Sequence, residues 1–157
     1  MKNKTIAVWL TLLAGPLGLH RLYLYQRFDT LSCLQMVPTL IGAYGVLRAR
    51  EIGLDDHLSW VLIPWVGLSV AASSLTAIVY GLMEREKWNA RFNQTQTVEC
   101  VAGATGWLTI GGVIAALMLG ATVLLSSIAF SFQRYFEYQV EDAPGIAQAA
   151  GLKKSAG

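Results

Sequence analysis

CVAGATGWLTIGGVIAALMLGATVLLSSIAFSFQ, residues 100–133, runs for 34 positions without one charged side chain, and its reading decides the class of the whole chain. A helix crosses the hydrocarbon core of a bilayer with about 20 predominantly apolar residues. Residues 58–83, LSWVLIPWVGLSVAASSLTAIVYGLM, form a second uncharged run of 26. Two shorter runs, 5–19 and 30–47, hold 15 and 18 uncharged residues. Hydrophobic residues make up 54% of the chain and charged residues 14%, where an average soluble domain carries roughly 25% charged. Little polar surface is left for water. Lipid requires every backbone polar group to be satisfied within a helix or a closed barrel. Barrel strands alternate in polarity over about ten residues, and these runs do not alternate. The expected fold is all-α: a polytopic helical membrane protein with about four hydrophobic helices and a short interfacial helix.

Outward from those runs, the first segment reads as residues 5–25, interrupted by Pro16 and closed by His20, Arg21, Tyr23, Tyr25 and Arg27. That mixture suits the headgroup zone, where tyrosines sit and arginines reach phosphates. Asp29 and Thr30 begin the second segment, 30–47, which carries Pro38, Gly42 and Gly45. A full crossing is the leading reading there and a re-entrant hairpin the alternative. A polar connection, 48–59, leads to the third helix, with Ser59 as its cap, Asp56 helping to begin it, and Trp60 and Trp65 as interfacial anchors. Residues 84–92 read as the interfacial helix, Trp88 and Phe92 sharing one face beside a basic stripe of Lys87 and Arg91. The fourth helix is expected from near Val101 to about Phe132, with Arg134, Tyr135, Phe136 and Tyr138 as a second anchor. The division is thus a membrane domain over 1–92, an additional helix over 93–138 and a flexible tail over 139–157. The basic, then apolar start has the look of a secretory signal, and a retained first helix is the preferred reading.

Four crossings place both termini on one side, with five basic residues bordering each face. The positive-inside rule is then a tie. The start of the chain and the distal Lys153 and Lys154 favour cytoplasmic termini.

Small residues recur every four positions at Ser69, Ser73, Ala77 and Gly81, and again at Gly112, Ala116 and Gly120. Such stripes let helix backbones approach closely in lipid, and the two are expected to pack on each other, or on a second copy of the chain. His20-Arg21 is the charged pair nearest the interior of a span, read as interfacial. Asp55, Asp56 and His57 are adjacent, so they cannot all face one ion without a specially folded loop, and no metal or other cofactor is expected. Cys33 and Cys100 fall at one membrane face; free thiols are the preferred reading and a disulfide the alternative. No nucleophile–base set, phosphate-cradling loop or carboxylate pair can be assembled, so no enzyme activity is expected. A net charge of +2, spread in ones and twos, excludes nucleic acid as the expected partner.

Lys4-Thr-Ile-Ala followed by Gly15-Pro-Leu-Gly-Leu-His-Arg-Leu-Tyr-Leu resembles the two-transmembrane (TM-two) domain family, whose bacterial members include NINE proteins. The family mark is Gly-x-x-Gly-x-His-Arg-Phe-Tyr-Leu-Gly, met here by Gly15, Gly18, His20, Arg21, Tyr23 and Leu24. Leu22 replaces the phenylalanine and Tyr25 the last glycine. The family's second helix looks like residues 58–68, without its usual aspartate, and the extra C-terminal helix is similar to a longer bacterial subgroup. The resemblance implies an inner-membrane protein without established enzyme activity. The expected function is a structural or accessory one, through helix contacts with itself or a larger membrane complex. The rival is a small oligomeric transporter or channel with His20 and Arg21 near a pore mouth.

Overall fold

The computed structural model describes residues 2–26, 30–94 and 101–155, with side chains described for 2–26, 30–94 and 102–140. Its order is α1 (Lys4–Ala14), a 3-10 turn (Gly15–Leu17), α2 (Leu19–Tyr25), α3 (Thr30–Ile52), α4 (His57–Leu82), α5 (Arg85–Phe92), a second 3-10 turn (Val101–Gly103) and α6 (Trp107–Ser155). No strand occurs among the described residues. Three helices are long and apolar enough to cross a membrane: α3, α4 and residues Trp107–Val140 of α6.

The first hydrophobic segment does not run through as one helix. Asn3 caps α1, its side-chain oxygen accepting from the Thr5 N–H at 2.9 Å. After 11 residues, about 16 Å at helical rise, the chain meets Gly15-Pro16 and tightens into the 3-10 turn. Pro16 supplies no N–H to continue an α-helix. Gly18 then reverses the chain at φ 73°, a left-handed conformation that glycine adopts without steric cost. Its missing side chain also matters, because a Cβ there would stand 2.7 Å from the Ser32 carbonyl oxygen. The short α2 comes back beside α1 until the Asn3 N–H donates to the Tyr23 hydroxyl at 3.0 Å and the Lys2 ammonium donates to the Leu24 carbonyl. Gln26, left-handed at φ 53°, ends it.

The segment is therefore a helical hairpin rather than one continuous helix, and Lys4–Leu17 is shorter than the three helices of membrane-crossing length. Re-entry was the alternative for residues 30–47; instead α3 continues unbroken from Thr30 to Ile52 with Pro38 inside it. With three long helices after a hairpin, Asn3 and Tyr138 lie at opposite ends of the bundle. The far end differs too. Helix α6 starts at Trp107 rather than near Val101, and its backbone stays helical to Ser155 where a flexible tail is expected from the sequence.

Packing is inverted relative to a water-soluble protein. Helix α4 is central, touching α1, α3 and α6. It buries Gly67, Ser69, Ser73, Ser74, Ala77 and Gly81. Leu13, Val61, Leu75, Leu82, Met118 and Leu125 are among the many large apolar side chains that point outward. Small groups inside and large apolar groups outside suit a solvent that is itself apolar, where close backbone approach drives helix association. At Gly42 backbone meets backbone: a Cβ would stand 2.2 Å from the Val66 nitrogen of α4.

Two polar arrangements hold the helices in place. At the hairpin tip, the Thr39 hydroxyl donates to the Pro16 carbonyl at 2.6 Å and lies against the Ser69 hydroxyl. The Gln35 amide donates to the Ser73 hydroxyl at 2.9 Å. At the far end, Asp56 caps α4, its carboxylate accepting from the Ser59 N–H at 3.1 Å and from Arg48 Nε at 2.6 Å. Asp56 is thus the cap, and Ser59 is the residue it caps. Trp60, expected as a lipid anchor, is buried and donates its indole N–H to the Leu54 carbonyl at 2.7 Å.

The hairpin predicts a topology. In a background with Cys33→Ser and Cys100→Ser, single cysteines at Asn3 and Gln139 should react with an impermeant thiol reagent from opposite sides of sealed vesicles. Labelling of both from one side would restore the four-crossing arrangement.

Candidate functional site

The residues marked by sequence fall into two regions, the motif hairpin and the helix seams. Gly15 faces Ser73, where a Cβ would approach the serine Cβ to 2.8 Å. Gly18 makes the reversal. His20 and Arg21 then diverge on α2. The His20 imidazole is buried, 2% exposed, with its ring centroid 6.4 Å from that of Tyr80 on α4, and its Nδ1 has no hydrogen-bond partner. Arg21 turns to the other side, its guanidinium carbon 5.3 Å from the centre of the Tyr25 ring. Tyr23 closes the hairpin on Asn3. Arg91 of α5 reaches the Tyr25 hydroxyl at 3.2 Å. Of the expected His20–Arg27 turn, Arg27 lies outside the described residues.

The short helix α5 forms where expected, but its aromatic face is not offered to lipid. Trp88 and Phe92 do share a face, ring centroids 4.5 Å apart, and that face packs on Tyr80 with edge-on contacts of 6.0 Å to each ring. Trp88 is fully buried and donates its indole N–H to the Lys2 carbonyl at 3.0 Å, while the Lys2 N–H donates to Asn93 at 2.8 Å. The start of the chain is thereby clamped by α5. Lys4 completes this end. It reads as a flanking charge in the sequence, yet it is fully buried, donating to the Met83 carbonyl and, at 2.7 Å, to the Thr105 hydroxyl. Three helix ends meet on one ammonium. Its position one residue after a helix cap was the available signal.

The two small-residue stripes are buried, and each faces more than one neighbour. Ser69 and Ser73 face α3 and the hairpin tip. Gly81 faces Val113 and Val8. On α6, a Cβ at Gly112 would stand 2.8 Å from Val8 of α1, and one at Gly120 would stand 2.6 Å from Ser74 of α4. The α4–α6 seam includes, besides Gly81, a second row of α4: Gly67, whose Cβ would lie 1.9 Å from the Ser127 hydroxyl, and Ser74. A spacing of four picks out one row on a helix; α4 has two rows because it touches neighbours on several sides.

Asp55, Asp56 and His57 each have their own contacts. Asp56 is bound to Arg48 and Ser59, and these hydrogen bonds, Arg48 first, hold its carboxyl down to about 2. The His57 ring lies 4.4 Å from both Trp60 and Tyr138. Asp55 faces Arg134 at 3.8 Å. Among the described residues no group of three or more His, Cys, Asp or Glu could hold a metal ion. Cys33 is exposed and free; Cys100 lies outside the described residues, so the alternative pairing does too. No family model, curated protein or solved structure matches the chain.

Two predictions follow from this geometry. Overpacking a tight contact costs about 1–3 kcal/mol, so Gly112→Leu and Gly18→Ala should each lower the thermal unfolding midpoint in detergent. Gly111→Ala, with open space at its Cβ, should leave it unchanged; equal effects at all three would disprove the assigned contacts. Asp56 offers a pH test. Because its folded value lies below the ordinary carboxylate value near 3.8, its contribution is complete above about pH 5 and is lost as pH falls through 4 towards 2. Asp56→Asn should flatten that acid limb, measured as the unfolding midpoint against pH.

Proposed function

We propose that this chain is a non-enzymatic structural or accessory protein of a membrane, acting through helix contacts with itself or with a larger membrane complex. The observation that carries this reading is the use of its polar side chains. Lys4, Gln35, Thr39 and Asp56 each tie one helix to another. They hold a shape and leave α6 as the surface offered to partners. The inward row of α6 is small: Thr109, Gly112, Ala116, Gly120 and Ser127. Its outward side carries Ile114, Leu117, Met118 and Leu125. Beyond Tyr138, which meets the start of α4, the α6 backbone continues to Ser155, about 25 Å further.

The rival reading, a pore with His20 at its mouth, gains little support, because His20 packs on Tyr80. The family reading rests on the Gly15–Leu24 motif, and the tight role of Gly18 agrees with a glycine being required there.

Orientation follows from the hairpin. With the first segment returning to its own end, Lys2, Lys4, Arg21, Arg85, Lys87 and Arg91 border one face, against Arg48, Arg50 and Arg134 on the other. Six against three next to the spans, with Lys153 and Lys154 further along α6, supports an N-terminal end in the cytoplasm under the positive-inside rule. In a bacterial inner membrane the end of α6 then projects into the periplasm, and Cys33 lies towards the reducing side.

Photo-crosslinking residues at Met118 and Leu125, in the full-length protein at natural abundance in native membranes, should yield a reproducible protein adduct, either a second copy or a partner identified by mass spectrometry. Lipid adducts alone at both positions, with His20-dependent ion flux in liposomes, would reverse the choice of function.

A further inference from the structure

A groove of about 360 Å³ runs between α3 and α4 on the outer side of the hairpin, with Arg21 at one end. Its walls are apolar except at Arg21, Gln35 and Ser69. Gln35 and Ser69 are turned inward, donating to Ser73 and lying against Thr39 respectively. Arg21 is therefore the one charged side chain among the lining residues. The order of the lining along the helices matters. Arg21 sits one turn from Tyr25, near where α3 begins, and from there Leu34 and Pro38 lead down α3 while Ala72, Leu68 and Trp65 lead down α4. The cation stands one turn short of the end of α2, and the apolar channel runs from it along α3 for about 10 Å over two turns.

We propose that this groove is a binding site for an anionic phospholipid, with the headgroup phosphate on Arg21 and one acyl chain along Leu34, Pro38, Trp65 and Leu68. A guanidinium presents five N–H donors in a planar fork matched to phosphate oxygens, so a phosphate can be added to the contacts Arg21 makes within the protein. The site lies at the basic end of the bundle, where Arg85, Lys87 and Arg91 also stand. Net negative headgroups are favoured there over zwitterionic ones. Charge and shape thus point to the same occupant: a lipid of the same leaflet, entering sideways, with its anion at the depth of Arg21. The inference rests on α3 and α4 crossing a bilayer, and extraction of the protein by detergent but not by salt or alkali tests that premise separately.

The experiment is a lipid titration of the full-length protein in mild detergent, read by native mass spectrometry, using phosphatidylglycerol and phosphatidylcholine with identical acyl chains. Phosphatidylglycerol should bind about fivefold more tightly, the factor expected for one basic group meeting a net negative headgroup. Arg21→Gln should abolish the preference and Arg21→Lys should retain most of it. Leu34→Trp, which fills the channel, should weaken both lipids with the unfolding midpoint preserved. Equal binding of the two lipids by the unaltered protein would overturn the proposal. So would a preference that survives Arg21→Gln, or a Leu34→Trp protein that binds both lipids normally but loses self-association, which would make a second copy the occupant. Gly111→Ala serves as the folded control, since nothing lies against that position.

Discussion

The Pro16 carbonyl is the group on which the arrangement of the chain depends. A backbone that reverses inside an apolar medium leaves carbonyls and N–H groups without helical partners, each costly to bury unpaired. Gly18 satisfies one carbonyl by donating to Gly15 at 2.8 Å. The Pro16 oxygen has Thr39 of α3, whose hydroxyl also touches Ser69 of α4. One hydroxyl thus joins the hairpin tip to both helices behind it. Without that partner the reversal would expose a bare carbonyl to lipid, and a helix running straight through would be preferred.

The rest follows from the reversal. Because α2 returns to the level of Lys2 and Asn3, α3 must begin at that level, and α4 and α6 alternate after it. The clamp of Lys2, Lys4, Trp88 and Asn93 is built there because five chain segments converge at one end of the bundle. Lys4 fits the logic of buried charge in lipid: it is held by a carbonyl and a hydroxyl, its donors aimed at helix-end groups that would otherwise be unsatisfied.

Central placement explains the composition of α4. A helix with neighbours on three sides has no single apolar stripe, and its inward groups are serines, alanines and glycines that serve close approach. Ser73 donates to the Ser69 carbonyl at 2.9 Å and the Ser69 hydroxyl lies against Thr39, whereas the buried Ser74 hydroxyl has no hydrogen-bond partner. Helix α6 has neighbours on one side only. Its inward row is correspondingly narrow, and its large residues face out along most of its length.

Much of this was legible in the chain itself. Uncharged runs of 34 and 26 residues determine α6 and α4 as membrane-length helices, because hydropathy and length are summed locally and need no partner. Residues 84–92 declare a short amphipathic helix by the spacing of Trp88 and Phe92, and the two small-residue stripes mark surfaces that are indeed buried. What they are buried against was decided by the tertiary structure. Trp88 meets Tyr80 rather than lipid, Gly112 meets Val8 rather than α4, and Ser69 meets Thr39. Residues 5–25 are the clearest case. Their apolarity is that of a spanning helix, and Pro16 alone permits a kink, a break or a reversal. Thr39, distant in sequence and adjacent in space, supplies the hydrogen bond that the reversal needs, since hydrogen-bond satisfaction inside a membrane is a property of the packed bundle and not of any one segment.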